Sequence, residues 1–177
     1  KTSTNGQASV TLRLGTVSGK LNNSVEARAY NGTTAIPNAV VTFWATATSS
    51  RAATMLIQGG GRQTGEAGEP LAVLLAVKVN DLPGNGVSEH PVTFQVKQGG
   101  GHLGDGVAEA TVSTDQNGVA RIRWYLGAAT RPDSQIVHAL SNDGINPLQN
   151  APLKFVAFAD PGPSSAEASS VYATPSV

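Results

Sequence analysis

The chain contains no cysteine. That absence excludes disulfides, thiolate nucleophiles and thiolate metal sites together. Aromatic residues are scarce, at 5%, so any core must be built mainly from aliphatic side chains. Neither sign of charge is in excess, because 12 Lys and Arg balance 12 Asp and Glu. Nor do the basic residues cluster. Nucleic acids and anionic membranes both require a basic face, so neither is expected as a partner. Long apolar runs are missing too. The longest, Leu71–Val77, stops at Lys78 and is the length of a strand, so no membrane insertion is expected.

What the chain has instead is internal repetition. Thr2, Asn5, Gly6, Ala8, Leu14 and Gly15 recur as Thr114, Asn117, Gly118, Ala120, Leu126 and Gly127. Further on, Val25, Ala27, Gly32, Asn38, Ala39, Phe43, Ala45 and Ala47 recur as Val137, Ala139, Gly144, Asn150, Ala151, Phe155, Ala157 and Ala159. Every pair lies 112 residues apart, without a gap. That spacing is too long for a solenoid repeat and suits a whole small domain. Residues 1–50 therefore read as the C-terminal half of one repeat and 51–161 as a complete repeat. Residues 162–177 read as a Pro/Ser-rich linker and the first strand of a next repeat, which would hold Val171 and Tyr172.

The repeated segments alternate with a period of two, the mark of a strand with one buried face. Ala120, Ile122, Trp124 and Leu126 fall on one side, as do Ala8, Val10, Leu12 and Leu14 in the earlier copy. Val41, Phe43, Ala45 and Ala47 form a second such set, copied by Leu153, Phe155, Ala157 and Ala159. Seven strands are expected in the complete repeat, near 53–58, 71–79, 91–97, 107–113, 119–126, 135–141 and 153–159. Turn signals such as Pro83-Gly-Asn-Gly86, Asp115-Gln-Asn-Gly118 and Asn142-Asp-Gly144 separate them. Short strands broken by such turns predict an all-β protein built as an antiparallel sandwich, with no helix.

Three stretches carry a resemblance: Val79-Asn-Asp81 through Gly84-Asn-Gly-Val87, then Pro91-Val-Thr-Phe-Gln-Val96, then Ser113-Thr-Asp-Gln-Asn-Gly-Val-Ala120. They resemble the bacterial immunoglobulin-like repeats of the intimin/invasin type, in which a D-x-x-G-N-x-V turn leads to a P-V-T-F strand. Gly86 stands where that pattern usually has Pro. The resemblance implies an immunoglobulin-like β-sandwich in tandem on a bacterial surface, acting as an extracellular stalk or adhesin shaft. These are turn and core motifs, so they speak to fold far more than to activity.

Catalytic patterns are not evident. His90, His102 and His138 show no paired ligand spacing, and no Gly-x-Ser-x-Gly elbow is present, so no enzyme is expected. The glycine runs Gly59-Gly-Gly61 and Gly99-Gly-Gly101 precede no helix, which a phosphate loop would need. Asp81, Asp105, Asp115 and Asp143 lie in loops, where carboxylates build turns more often than they bind Ca²⁺; no cofactor is assigned. The outward aromatics Trp44 and Tyr125, with Arg123, form a candidate surface for a glycan or a host protein. Val10, Leu12, Val41 and Phe43, with Val171 and Tyr172, form a candidate strand-exchange surface toward other copies of the chain or neighbouring repeats, leading to a filament.

Overall fold

A computed structural model describes residues 2–130 and 134–161. The expected linker and strand at 162–177, with Val171 and Tyr172, lie outside the described residues. Among those described, every regular element is a strand, and the chain divides into two compact units. The first is Lys1–Ser50 and the second begins at Arg51.

The first unit is built on one hairpin, β1 (Gly19–Asn31) against β2 (Thr34–Ala47). Gly32, at φ 62°, supplies the left-handed residue that lets the chain reverse between them. The ladder pairs Asn23 with Ala45, Val25 with Phe43 and Ala27 with Val41 on one face. Ser24 with Trp44 and Glu26 with Thr42 alternate on the other. The expected strand over 8–14 does not form, and residues 7–15 run as irregular chain. Its apolar alternation is intact, but a strand exists only where a neighbouring backbone takes up its N–H and C=O groups. No such neighbour borders it among the described residues.

The second unit places two sheets around one core. β3 (Ala52–Gly59), β5 (Leu75–Asp81) and β9 (Val119–Ile122) make one sheet in the order β3-β5-β9. The other contains β4 (Gln63–Glu66), β6 (Pro91–Gln98), β8 (Glu109–Ser113), β11 (Gln135–Leu140) and β12 (Leu153–Asp160), in the order β4-β12-β11-β6-β8. A short ladder joins β7 (His102–Leu103) to β10 (Trp124–Tyr125). The inward residues are the alternate ones. Met55, Leu75, Val77 and Val79 come from the first sheet and Val92, Phe94, Val137, Ala139, Phe155 and Ala157 from the second. Phe94 and Phe155 meet with ring centroids 6.4 Å apart, and Trp124 fills the same core.

Three details differ from the sequence expectation. The sandwich is not wholly antiparallel, because β4 runs parallel to β12, with Gln63 opposite Ala157 and Glu66 opposite Asp160. Gln63–Glu66 shows no apolar alternation, and Gly65 sits where a Cβ would crowd Leu71 at 3.3 Å and Leu126 at 3.4 Å. The expected strand 119–126 is broken at Arg123: β9 stays with β5, while β10 leaves to pair with β7. The strand expected from residue 71 begins at Leu75. Leu71 is buried ahead of it, its amide donating to the Trp124 carbonyl at 2.9 Å.

Candidate functional site

The first unit's hairpin and the β11–β12 ladder share one geometry. Asn23–Ala45, Ser24–Trp44, Val25–Phe43, Glu26–Thr42 and Ala27–Val41 are the pairs of one. Gln135–Ala157, Ile136–Val156, Val137–Phe155, His138–Lys154 and Ala139–Leu153 are the pairs of the other, each residue displaced by the same 112 positions. Backbone singularities follow the same offset. Gly6 and Gly118 have φ near 80°, Gly32 and Gly144 are both left-handed, and so are Asn38 and Asn150, at 60° and 73°. The turn Ser3–Gln7 closes with a 2.7 Å bond from the Ser3 amide to the Gln7 carbonyl, matched by Asp115 and Val119 at 3.0 Å. Asn23 Oδ1 accepts from the Gly15 amide at 3.3 Å, just as Gln135 Oε1 accepts from Gly127 at 3.1 Å.

What differs is the covering. Phe155 is 0% exposed and its counterpart Phe43 is 59% exposed. Val137, Ala139 and Ala157 are fully buried, whereas Val41 and Ala27 face solvent and Val25 is only half-buried. In the second unit this face is closed by the sheet holding Met55, Leu75, Val77 and Val79, and the edge of β11 is taken by β6. In the first unit the face carries only the irregular segment 8–12. Ala8, Val10 and Leu12 there border an apolar groove of about 480 Å³ with Val25, Ala27 and Phe43. Val10 itself remains 84% exposed. The strand-exchange residues Val10, Leu12, Val41 and Phe43 therefore lie in one unit, all exposed, and all but Val41 line that groove.

The candidate aromatic residues lie in different units. Trp44 is 61% exposed on the outer face of the hairpin, across from Ser24. Tyr125 belongs to the second unit, where it is half-buried and stacked on His102 with centroids 4.4 Å apart. The ring that was expected to be open thus has one face occupied by an imidazole. Arg123 is exposed and reaches back to the Leu71 carbonyl at 3.4 Å.

One pairing that the sequence did not single out looks chemical at first. His90 Nε2 lies 2.9 Å from Ser141 Oγ. The serine hydroxyl, however, donates to the Pro91 carbonyl at 2.7 Å, a bond that holds its proton away from the imidazole. The hollow of about 480 Å³ beside Ser141, bordered by Pro91, Thr93, Ile145 and Pro152, is lined by no titratable side chain. Three of the four loop aspartates are engaged in their own turns. Asp81 accepts from the Asn85 amide at 2.7 Å, Asp115 from Asn117 and Val119, and Asp143 from Ile145 and Asn146. No cluster of three or more His, Asp or Glu is gathered for a metal among the described residues. Asp115 is also paired with Arg121 at 2.6 Å, and that bond together with two backbone amides holds its carboxyl below the usual range.

Comparison with protein-family models, with characterised proteins and with solved structures finds no match to this chain.

Proposed function

We propose that this chain is part of a tandem array of immunoglobulin-like β-sandwich repeats with a 112-residue period, serving as a structural stalk on a bacterial surface. The observation that carries this reading is the shared ladder of the two hairpins, with left-handed residues at matching positions in both copies. The division of strands into β3-β5-β9 and β4-β12-β11-β6-β8 also resembles the way an immunoglobulin-like sandwich distributes its strands between two sheets. The turn and strand motifs at Asp81–Val87, Pro91–Val96 and Thr114–Ala120 add the intimin/invasin resemblance. Balanced charge and the lack of cysteine suit a passive, exported spacer.

Two measurements test this reading. Replacing residues 136–157 by 24–45, a segment of the same length, gives a second unit that still folds if the hairpins are equivalent parts. Loss of its cooperative unfolding transition overturns the repeat. Antibodies raised against the second unit label intact cells of the source organism if the array is displayed. Labelling only after permeabilisation overturns the surface role.

The exposure of Trp44 supports a subsidiary adhesive reading, in which the flat ring stacks on a sugar. Glycan-array binding that disappears in Trp44→Ala supports it, and a blank array counts against it.

A further inference from the structure

The inner face of the β1–β2 hairpin is apolar and exposed, and it matches a face that is covered elsewhere in the same chain. Ten positions of the first unit are counterparts of inward positions in the second, and seven are the same residue: Ala8, Leu14, Val25, Ala27, Phe43, Ala45 and Ala47. Their counterparts are buried in the core that Met55, Leu75, Val77 and Val79 help to form. Among the described residues no strand pairs with the outer edge of β1. Its counterpart β11 pairs with β6, setting Gln95 opposite His138 and Thr93 opposite Leu140. By the same offset, β6-like residues would lie opposite Glu26 and Arg28.

We propose that this face and edge take up a separate front half-sandwich with the strand chemistry of residues 51–113. Such a segment supplies alternating Met, Leu and Val toward Phe43 and Val25, and a Pro-Val-Thr-Phe strand along β1. The inference rests on the tandem-repeat reading and goes beyond it by specifying the occupant and its register. A second copy is a poor source, because among the described residues its front half at 51–113 is already closed against its own β9, β11 and β12. The remaining three inward positions shape the fit. Val10, Leu12 and Val41 stand where the second unit has Ile122, Trp124 and Leu153, each larger. The natural occupant therefore carries more bulk opposite Leu12 than residues 51–113 do, and this chain's own front half is a loose-fitting surrogate.

The surrogate makes the test. A copy of residues 51–113 is joined ahead of Thr2, the counterpart of Thr114, in the otherwise complete chain. In that copy Gln95 is replaced by Cys, and Glu26→Cys is introduced in the first unit. The chain has no other cysteine, so any disulfide reports this pair alone. The expected result is a disulfide between the two, and amide exchange at Val25–Ala27 slowed by about a hundredfold or more relative to the original chain. Arg28→Cys in place of Glu26→Cys shifts the register by two residues and should cross-link poorly. The same front half, offered as a separate polypeptide carrying Gln95→Cys, should form a covalent adduct with the full chain carrying Glu26→Cys. No cross-link in either format, with unchanged exchange at β1, overturns the proposal. So does a doubled mass of the unmodified chain that Phe43→Asp abolishes, since the face would then be covered by a second copy. If the hairpin replacement at 136–157 folds while these tests fail, the docking inference falls alone. If that replacement also fails, the repeat reading falls with it.

Discussion

Phe155→Ala removes a ring that touches Phe94 and is wholly buried, and should cost about 3–5 kcal/mol of stability in the second unit. Phe43→Ala removes the same ring from the same ladder position, yet should change stability by less than about 0.5 kcal/mol, because its surface is mostly wet. Denaturant titration of both variants checks the contrast. Gln135 is the other residue on which much depends. Its buried amide accepts from the Gly127 N–H at 3.1 Å and donates to the carbonyls of Gly127 at 3.0 Å and Ala129 at 2.8 Å. Gln135→Leu strands these groups and should cost about 2–4 kcal/mol, which a midpoint shift in urea will show. His90 gives the chain a pH dependence. Burial lowers its pKa below 6.5, and a hydrogen bond to the Asn142 backbone offsets part of that shift. The unfolded chain therefore binds the proton more readily. Stability from this group is complete above about pH 6.5 and declines as pH falls through its lower folded value. His90→Gln should flatten that limb of the stability profile, leaving the fall below about pH 3.8 that the depressed carboxyls of Asp115 and Asp143 produce.

At the level of elements, β1–β2 and β11–β12 are one ladder in two settings. A lone two-stranded hairpin is marginal in water, whereas a central pair in a five-stranded sheet opens only with the whole domain. Amides of Val25–Ala27 should exchange orders of magnitude faster than those of Val137–Ala139, as hydrogen exchange read by mass spectrometry or NMR will show. The same contrast explains what the sequence disclosed. Strands were expected correctly at 91–97, 135–141 and 153–159, and at 107–113 apart from its first two residues, because each of those segments has an inward face at least half-buried and a partner on its edge. The alternation at 8–14 is equally clean and yields no strand, since periodicity records which face should be buried and says nothing of whether a neighbour is present. β4 was invisible for the opposite reason. It is fixed by backbone pairing to β12 and by the side chain of Gln63, which bonds the Val73 backbone at both N–H and C=O, and neither leaves an apolar pattern. Of the candidate surface residues, the apolar ones of the hairpin lie on a single face. Trp44 belongs to the first unit and Tyr125 to the second.

For the whole molecule, the two units should contribute unequally to unfolding. A calorimetric transition from the second unit alone, at about 0.7 kcal/mol per residue over roughly 110 residues, amounts to about 75 kcal/mol near 60 °C. Cooperative melting of the full chain would give about 120 kcal/mol by the same scaling. The lower value is expected, with most of the difference regained when a front half is supplied to the first unit. The parallel pair β4–β12 has a further consequence, and it is mechanical. Its strands belong to opposite ends of the second unit, one soon after Arg51 and the other ending at Asp160. When tension drawn between those ends reaches this pair, it pulls the two strands past each other along their length. The bonds from Gln63–Ala157 to Glu66–Asp160 then bear the load together instead of opening one at a time like a zip. A unit wired in this way resists stretching far better than its four-residue patch suggests, and the proposed stalk would draw on that property.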